Sequence, residues 1–401
     1  MKKICLLTDQ HICTNPRLWK EAKTFSNAGY QIVILSVYTT SFELQRDYKL
    51  LEGTRNISYV PVLNLIKGEA PPYIRFYYRL RRKLGIYAKR WFHLENSLLL
   101  GYAPDLLLKA AIREKADLYI AHMELSLYVG VQLMKNKFKV AFDIEDWYSR
   151  DYLIPERPIR LLEKLEQKAM EKGVYCSCPS EAMAQALKAA YPSGKVPFDL
   201  YNSFSKNETP WSNREPYKSD RPSIIWFSQT IGVGRGLETF LLALKNVHIP
   251  LHVKFIGDIS SAYKEHLNQL FPFALGHSFE ISPQIPHHEL TKELSRHQIG
   301  LAIENDYPES RNLTITNKIL QYTQAGLQVL ATDTAGQRKL SEKLSNIHIV
   351  PLNDPDAWSS TLILILSVSP YHPDEIKKEF DQHYSWEVQE KKLLQLVQSV
   401  I

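Results

Sequence analysis

"SQTIGVGRGLETFLLAL", residues 228–244, places Gly232, Gly234, Arg235 and Gly236 directly before a helical pattern. Leu237, Phe240, Leu241 and Leu244 recur at i, i+3, i+4 and i+7, which is one buried helix face. The apolar run Ile224–Phe227 just upstream reads as a strand. A helix mouth carries unpaired N–H groups and partial positive charge. Gly232 and Gly234 let the backbone approach a ligand closely, and Arg235 adds a permanent cation with a two-pronged donor. Together these features describe a phosphate site. The alternative is an ordinary strand-to-helix turn with an arginine in water. The stretch has neither the Gly-Lys-Ser/Thr of a Walker loop nor the spacing G-x-G-x-x-G, which disfavours two common phosphate binders.

Outward from this loop, strand and helix patterns alternate. In the first half, strands are expected at Lys3–Thr8, Gln31–Val37, Leu118–His122, Val140–Ile144, Val174–Cys178 and Phe198–Tyr201. Helices are expected from Pro16 to Ala28-Gly29, from Pro158 to Lys172 and over Glu181–Ala190, the last capped by Ser180. A proline-containing polar stretch, Ser205–Pro222, reads as a linker. The rhythm then restarts, with strands at Leu251–Ile256, Phe279–Ser282, Ile299–Ile303, Gln328–Ala331 and Ile347–Val350, and a closing helix over Ser385–Val400. Alternating strands and helices predict parallel sheets in two α/β halves, with ligands at the carboxyl ends of the strands.

The chain of 401 residues is long enough for two domains, and its 44% hydrophobic and 23% charged residues are those of a folded globular protein. No apolar run reaches the roughly 20 residues needed to span a bilayer. The apolar stretch after Met1-Lys2-Lys3 is four residues long and meets Thr8-Asp9-Gln10, so it reads as a strand rather than a signal peptide. A cytoplasmic location is therefore expected. Cys5, Cys13, Cys176 and Cys178 have no metal or redox spacing and are expected to be buried free thiols.

"NKILQYTQAGLQVLATD", residues 317–333, runs a helix through Ala325-Gly326 into a strand. Taken with "FSQTIGVGRGLETFLLAL", it resembles the donor-binding domain of the retaining glycosyltransferases of family 4, which have the GT-B fold. "NPRLWKEAKTFSNAGYQIVILS" (15–36), "ADLYIAH" (116–122), "AFDIEDWYS" (141–149) and "YSWEVQEKKLLQLV" (384–397) resemble further motifs of the family in their order. The resemblance implies two Rossmann-like, doubly wound parallel-sheet domains facing a cleft. Residues 1–205 would form the acceptor side, 206–375 would bind the nucleotide-sugar, and the helical segment 376–401 would return toward the first domain. Two departures stand out. The second of two family glutamates is Gln321, with Leu313 eight positions before it, and the arginine of a family Gly-Arg pair appears as Gln229. Gln321 can bond a hydroxyl but carries no charge, which leaves a weak or inactive enzyme open.

The resemblance implies transfer of a sugar from a nucleotide-sugar with retention of configuration, in a hexosyltransferase-like enzyme of cell-surface polysaccharide biosynthesis. Such a site stabilises the departing diphosphate with fixed donors. Arg235, the Gly232, Gly234 and Gly236 backbone and Lys318 take that role, and Asn317 and Gln321, one helical turn apart, face the donor. Lys318 reads equally as a solvated helix lysine. His122, ending its strand, would hold the donor sugar or the acceptor hydroxyl; the alternative is a histidine satisfied at a strand end. No protein nucleophile is required. Asp143, Glu145 and Asp146 alternate faces at a strand end, and the family resemblance implies no catalytic metal and no cofactor.

"YIRFYYRLRRKLGIYAKRWFHLEN", residues 73–96, interleaves aromatics with Arg75, Arg79, Arg81, Arg82, Lys83, Lys89 and Arg90, and has no acid before Glu95. Cations beside aromatics such as Trp91 suit the surface of an anionic membrane. This predicts a peripheral enzyme on the inner face of the plasma membrane, acting on a saccharide or lipid-linked acceptor. The alternatives are a solvated helix with its aromatics packed inward and a nucleic-acid patch, and no nucleic-acid partner is expected. Rival functions are a GT-B binding or regulatory subunit that has lost turnover, motivated by Gln321, and a nucleotide-sugar epimerase.

Overall fold

The computed structural model describes residues 1–208, 221–367 and 372–401. Pro210 and Pro216 of the expected linker lie outside the described residues. The chain divides into two compact units, Met1–Asn202 with Glu390–Ile401, and Ser203–Gln389.

The first unit is built on seven strands: β1 (Lys3–Leu7), β2 (Gln31–Tyr38), β3 (Ile57–Asn64), β4 (Leu118–His122), β5 (Val140–Asp143), β6 (Cys176–Cys178) and β7 (Phe198–Asp199). They pair in parallel in the order β3-β2-β1-β4-β5-β6-β7. Its helices are α1 (Pro16–Asn27), α2 (Ser41–Leu51), α3 (Pro72–Phe92), α4 (Pro104–Glu114), α5 (Met123–Lys135), α6 (Ile159–Lys172) and α7 (Glu181–Ala190).

Local chemistry accounts for these elements. Pro16 occupies the first turn of α1, and the Asn15 side chain accepts from the Leu18 N–H. Leu18, Ala22 and Phe25 then fall on one face and pack on Ile4, Leu6, Ile32 and Ile34. Ser180 caps α7 by accepting from the Met183 N–H. A parallel sheet is covered on both faces. Cys176 and Cys178, two residues apart on β6, share one covered face and are both buried, and all four cysteines are free thiols, with Cys13 partly exposed.

The second unit carries β8 (Ser223–Ile231), β9 (His252–Ile259), β10 (Ser278–Ser282), β11 (Ile299–Ala302), β12 (Gln328–Thr332) and β13 (Ile347–Val350), all parallel in the order β10-β9-β8-β11-β12-β13. Its helices are α8 (Leu237–Ala243), α9 (Ser261–Leu270), α10 (His287–Leu294), α11 (Glu309–Leu313), α12 (Asn317–Gln324), α13 (Ala335–Ser341), α14 (Pro355–Ser367) and α15 (Pro373–His383). The last helix, α16 (Trp386–Val400), belongs to the first unit from Glu390 onward, where Leu393 and Val397 are buried in that unit's core.

The structure differs from the sequence pattern in several places. Strand β8 continues through an irregularity to Ile231 rather than ending at Phe227. β3 has no counterpart among the expected strands, because Pro61 interrupts its pattern; proline is tolerated there since β3 is an edge strand. In the second unit's core, Gly300 on β11 lies under the Tyr322 ring of α12, and a Cβ there would come within 2.3 Å of the ring. Tyr322 is fully buried and meets Phe227 edge-on at 5.4 Å. Gly300→Ala must therefore push α12 outward. It is expected to lower stability by about 1–3 kcal/mol in chemical denaturation, the range for overpacked cores. An unchanged midpoint would show that the ring moves aside freely.

Candidate active site

In each unit the strand order reverses at one point, between β1 and β4 in the first and between β8 and β11 in the second. Open parallel sheets bind ligands outside the carboxyl ends of the strands at such a point.

In the second unit, β8 leads into the glycine loop there. Gly234 and Gly236 both adopt left-handed backbone, at φ 80° and 74°. A Cβ on Gly236 would fall 2.7 Å from Ile303 and 3.0 Å from Leu352, so only glycine lets the loop close on β11. Nothing lies within 4 Å of the Cβ positions of Gly232 and Gly234, which leaves that backbone open to a ligand. The Asn305 side chain donates to the Gly234 carbonyl at 3.3 Å and ties the loop to the end of β11. Arg235 is exposed and forms no ion pair among the described residues. Helix α8 is only seven residues long, so the capacity of this loop for an anion rests on Arg235 and open peptide N–H groups more than on a helix dipole.

Lys318 is placed differently from a free phosphate ligand. Its Nζ lies 2.7 Å from Glu304 Oε1 and 6.0 Å from the Trp226 ring centroid. Glu304 also accepts from Thr316 Oγ1 at 3.0 Å, while its own N–H donates to Thr332 Oγ1 at 2.8 Å. Glu304 is a member of the site that the sequence pattern did not single out. Asn317 is exposed at the start of α12, whereas Gln321, one turn deeper, is buried; Leu313 is a buried apolar side chain, and Gln229 is exposed near the end of β8.

In the first unit, His122 ends β4 fully buried. Its Nδ1 donates to Glu145 Oε1 at 3.0 Å, and its Nε2 faces Glu21 Oε2 at 3.4 Å. Neither ring nitrogen is open to a sugar. Glu145 is the member that reaches the surface, 18% exposed, and Asn15 Nδ2 also donates to it at 2.7 Å. Behind the pair, the Arg17 guanidinium donates through Nε and Nη2 to both oxygens of Asp143 and through Nη1 to the Leu200 carbonyl. Ser177 Oγ adds a 2.6 Å bond to Asp143.

Glu21, His122 and Asp143 bring donor atoms within 4.8 Å of one another, a spacing open to a cation. Both Asp143 oxygens are also held by Arg17. Burial alone would push the His122 imidazole down. Glu21, Glu145 and Asp143 outweigh it and raise it from 6.5 to about 10, which favours the imidazolium, while burial raises Glu21 in turn.

Two further carboxyls flank the β1/β4 reversal, neither marked by the sequence pattern. Burial pushes Asp9 up to about 6, against the pull of a backbone hydrogen bond and of Arg82. Burial also raises Glu124 to about 7, although Arg157 Nη2 lies 2.9 Å from its Oε1. Between His122 and Glu124, Met123 holds φ 72°, a strained value for a non-glycine residue and one that clusters at ligand sites.

The basic segment forms α3. Tyr73, Tyr77, Leu80, Leu84, Tyr87 and Trp91 are all exposed, Trp91 to 71%. At 100° per residue they fall within about 40° of one line along the helix. Arg79, Lys83 and Arg90 are exposed beside this stripe. Arg81 and Arg82 turn elsewhere: Arg81 Nη1 pairs with Asp105 at 3.1 Å, and Arg82 lies 4.8 Å over the Tyr102 ring. Arg75 is partly buried. The aromatics therefore do not pack inward, with Tyr78 the buried exception. No helix among the described residues is long and apolar enough to cross a membrane.

No protein-family model matches the sequence, and no curated protein matches it significantly. Solved structures match over the whole chain. A glycosyltransferase from Rickettsia africae ESF-5 aligns with 14% identity and a TM-score of 0.67, covering 100% of this chain and 98% of its own. Sucrose-phosphate synthase from Thermosynechococcus elongatus aligns with 13% identity and a TM-score of 0.70, covering 100% and 99%. Anabaena Alr3699/HepE in complex with UDP-glucose aligns with 14% identity and a TM-score of 0.66, covering 100% of both chains. At these identities the likeness is one of fold. The fold is GT-B, two parallel-sheet α/β domains.

The buried imidazolium makes stability depend on pH. Its pKa is raised on folding, so its contribution is complete below about 6.5 and is lost as pH rises through about 10. Thermal midpoints of the wild type are expected to fall between pH 7 and 10, and His122→Gln to flatten that slope. Equal slopes in the two proteins would remove the imidazolium from the account.

Proposed function

We propose that this protein is a glycosyltransferase that moves a sugar from a nucleotide-sugar to a saccharide or lipid-linked acceptor, with retention of configuration. The observation that carries this reading is the open glycine loop at the β8/β11 reversal. There Arg235 forms no ion pair among the described residues, Asn305 holds the adjacent Gly234 carbonyl, and Lys318 pairs with Glu304. The GT-B fold and the likeness to a protein solved with UDP-glucose support it. Arg235 and the loop N–H groups would take up charge developing on the departing diphosphate. Lys318, held by Glu304, would act as a fixed neighbour of that charge, and Asn317 would bond donor hydroxyls. On the acceptor side, Glu145, held by His122 and Asn15, would bond a hydroxyl, with Asp9 and Glu124 nearby. The chemistry needs no metal or other cofactor, and turnover is expected to survive chelation.

Gln321 supports a second reading, a GT-B binding protein that has lost turnover. It is neutral and buried where the family resemblance implies a glutamate. Transfer that requires an acceptor, with the product's anomeric configuration read by NMR, separates the transferase from both this reading and an epimerase.

The aromatic stripe of α3 with Arg79, Lys83 and Arg90 alongside supports a peripheral place on an anionic membrane, which for a cytoplasmic enzyme of polysaccharide biosynthesis is the inner face of the plasma membrane. Flotation with vesicles containing anionic lipid is expected to carry the wild type and to lose Leu84→Glu/Trp91→Glu. Binding that is absent at low salt, or equal in the two proteins, overturns this placement.

The donor site is tested by thermal shift against UDP, GDP, dTDP, ADP and CMP. One nucleotide is expected to stabilise the wild type, by roughly 2.7 kcal/mol at a hundredfold excess over Kd, and to do little for Arg235→Ala. No shift with any of the five would count against the donor site itself.

A further inference from the structure

A cavity of about 630 Å³ opens at the amino ends of β2 and β3, the end of the first unit's sheet opposite His122. It lies between the last turns of α1 and α2 and the turn into β3, and it is separate from everything assigned above.

Its floor is apolar. Trp19, Leu50 and Ile57 line it from above and pack on the unit's core from below. Its rim is cationic. Lys23, Lys49 and Arg55 line it, all exposed, and none forms an ion pair or side-chain hydrogen bond among the described residues. Glu52 is the acid in the lining. Lys49 stands in the last turn of α2, where a cation also complements the carbonyl end of the helix. Lys23 is outside the last turn of α1, and Arg55 lies in a turn, so neither has that task.

The wall is already fixed. The turn carries left-handed Gly53 and Asn56, at φ 73° and 62°. Thr54 Oγ1 donates to the Leu51 carbonyl at 2.7 Å, Ser26 Oγ to the Arg55 carbonyl at 2.6 Å, and the Ile32 N–H to the Asn56 carbonyl at 2.8 Å. The Asn27 and Asn56 side-chain amides face no partner among the described residues. This hollow has the volume of a small-ligand site, and its mostly polar lining, with Trp19 in the floor and three cations that pair with nothing among the described residues, suits a polar, charged ligand.

We propose that this cavity binds an anionic saccharide. The sugar ring lies on Trp19, its hydroxyls meet the Asn27 and Asn56 amides, and its carboxylate or phosphate group meets Lys23, Lys49 and Arg55. Arg55 offers the planar fork that carboxylate and phosphate both accept. The site holds a ligand and performs no chemistry. It stands whether or not the second unit transfers sugar.

Ligand-observed NMR on the full chain tests it, with glucuronate, glucose 6-phosphate, glucose and inorganic phosphate as probes. Glucuronate or glucose 6-phosphate, or both, are expected to bind at millimolar concentration or tighter, and which of them binds identifies the anionic group. Glucose and inorganic phosphate are each expected to bind at least tenfold more weakly. Lys23→Glu/Arg55→Glu is expected to weaken the acidic sugars tenfold or more while keeping the wild-type melting curve, because both side chains are exposed. If that variant fails to fold, Lys23→Gln/Arg55→Gln serves in its place. Failure of both acidic sugars to bind, binding unchanged in the variant, or phosphate binding as tightly as the sugars overturns the proposal.

Discussion

Parallel pairing is the constraint on which the rest depends. Each strand must be re-entered from the same end, so every strand-to-helix loop of a unit gathers along one edge of its sheet. The reversal of strand order then leaves two neighbouring loops diverging, after β1 and β4 in one unit and after β8 and β11 in the other. The residues with chemistry to offer sit there: Asp9, His122 and Glu124 in the first unit, Arg235, Glu304 and Asn305 in the second. Both places carry unusual backbone. Met123 is left-handed without being glycine, and Gly236 is a position where any side chain would strike Ile303. Of the two, only Met123 carries backbone strain, since glycine adopts the left-handed region without steric cost.

The first unit holds its edge together with charge. Arg17, Glu21, His122 and Asp143 are all buried, an arrangement that is expensive unless each group is paired. The guanidinium takes both Asp143 oxygens, and the imidazolium lies between Glu21 and Glu145. The network joins α1 to β4 and β5 and reaches the β7 end through the Leu200 carbonyl. Its consequence for the site is indirect: His122 orients Glu145 rather than touching a ligand itself. A histidine at the end of a central strand can therefore matter to a reaction while showing solvent nothing.

Much of the fold was legible in the sequence because period and punctuation agree. Leu118–His122, Ile347–Val350 and Glu181–Ala190 fall where the pattern placed them, and the turn from β8 into α8 is written in its glycines. What was not legible depends on pairs distant in the chain. Arg17 and Glu21 lie one helical turn apart, and their spacing names no partner; only folding brings Asp143 and His122 against them. Lys318 reads as a free cation until β11 delivers Glu304 to it, and Arg81 and Arg82 read as membrane-facing until α4 and Tyr102 claim them. Local pattern tells which face of a helix is apolar. It does not tell which charges will find partners.

That distinction separates structural charge from charge left for function. Burying or pairing a cation is the ordinary outcome of folding, and most basic side chains near the sites have done so: Arg17, Arg157 and Lys318 are engaged by carboxylates. Among the described residues Arg235 is not, and neither are Lys23 and Arg55. On α3 the same logic applies to apolar area. Six residues aligned along one helix face, exposed with cations to one side, lose the burial that a core would have given at roughly 25 cal/mol per Å². A stripe that regular would be buried in most amphipathic helices, yet here it points away from its own core. Three surfaces are left that the described residues do not themselves satisfy: the glycine loop with Arg235, the cationic rim at the base of the first sheet, and the aromatic stripe of α3.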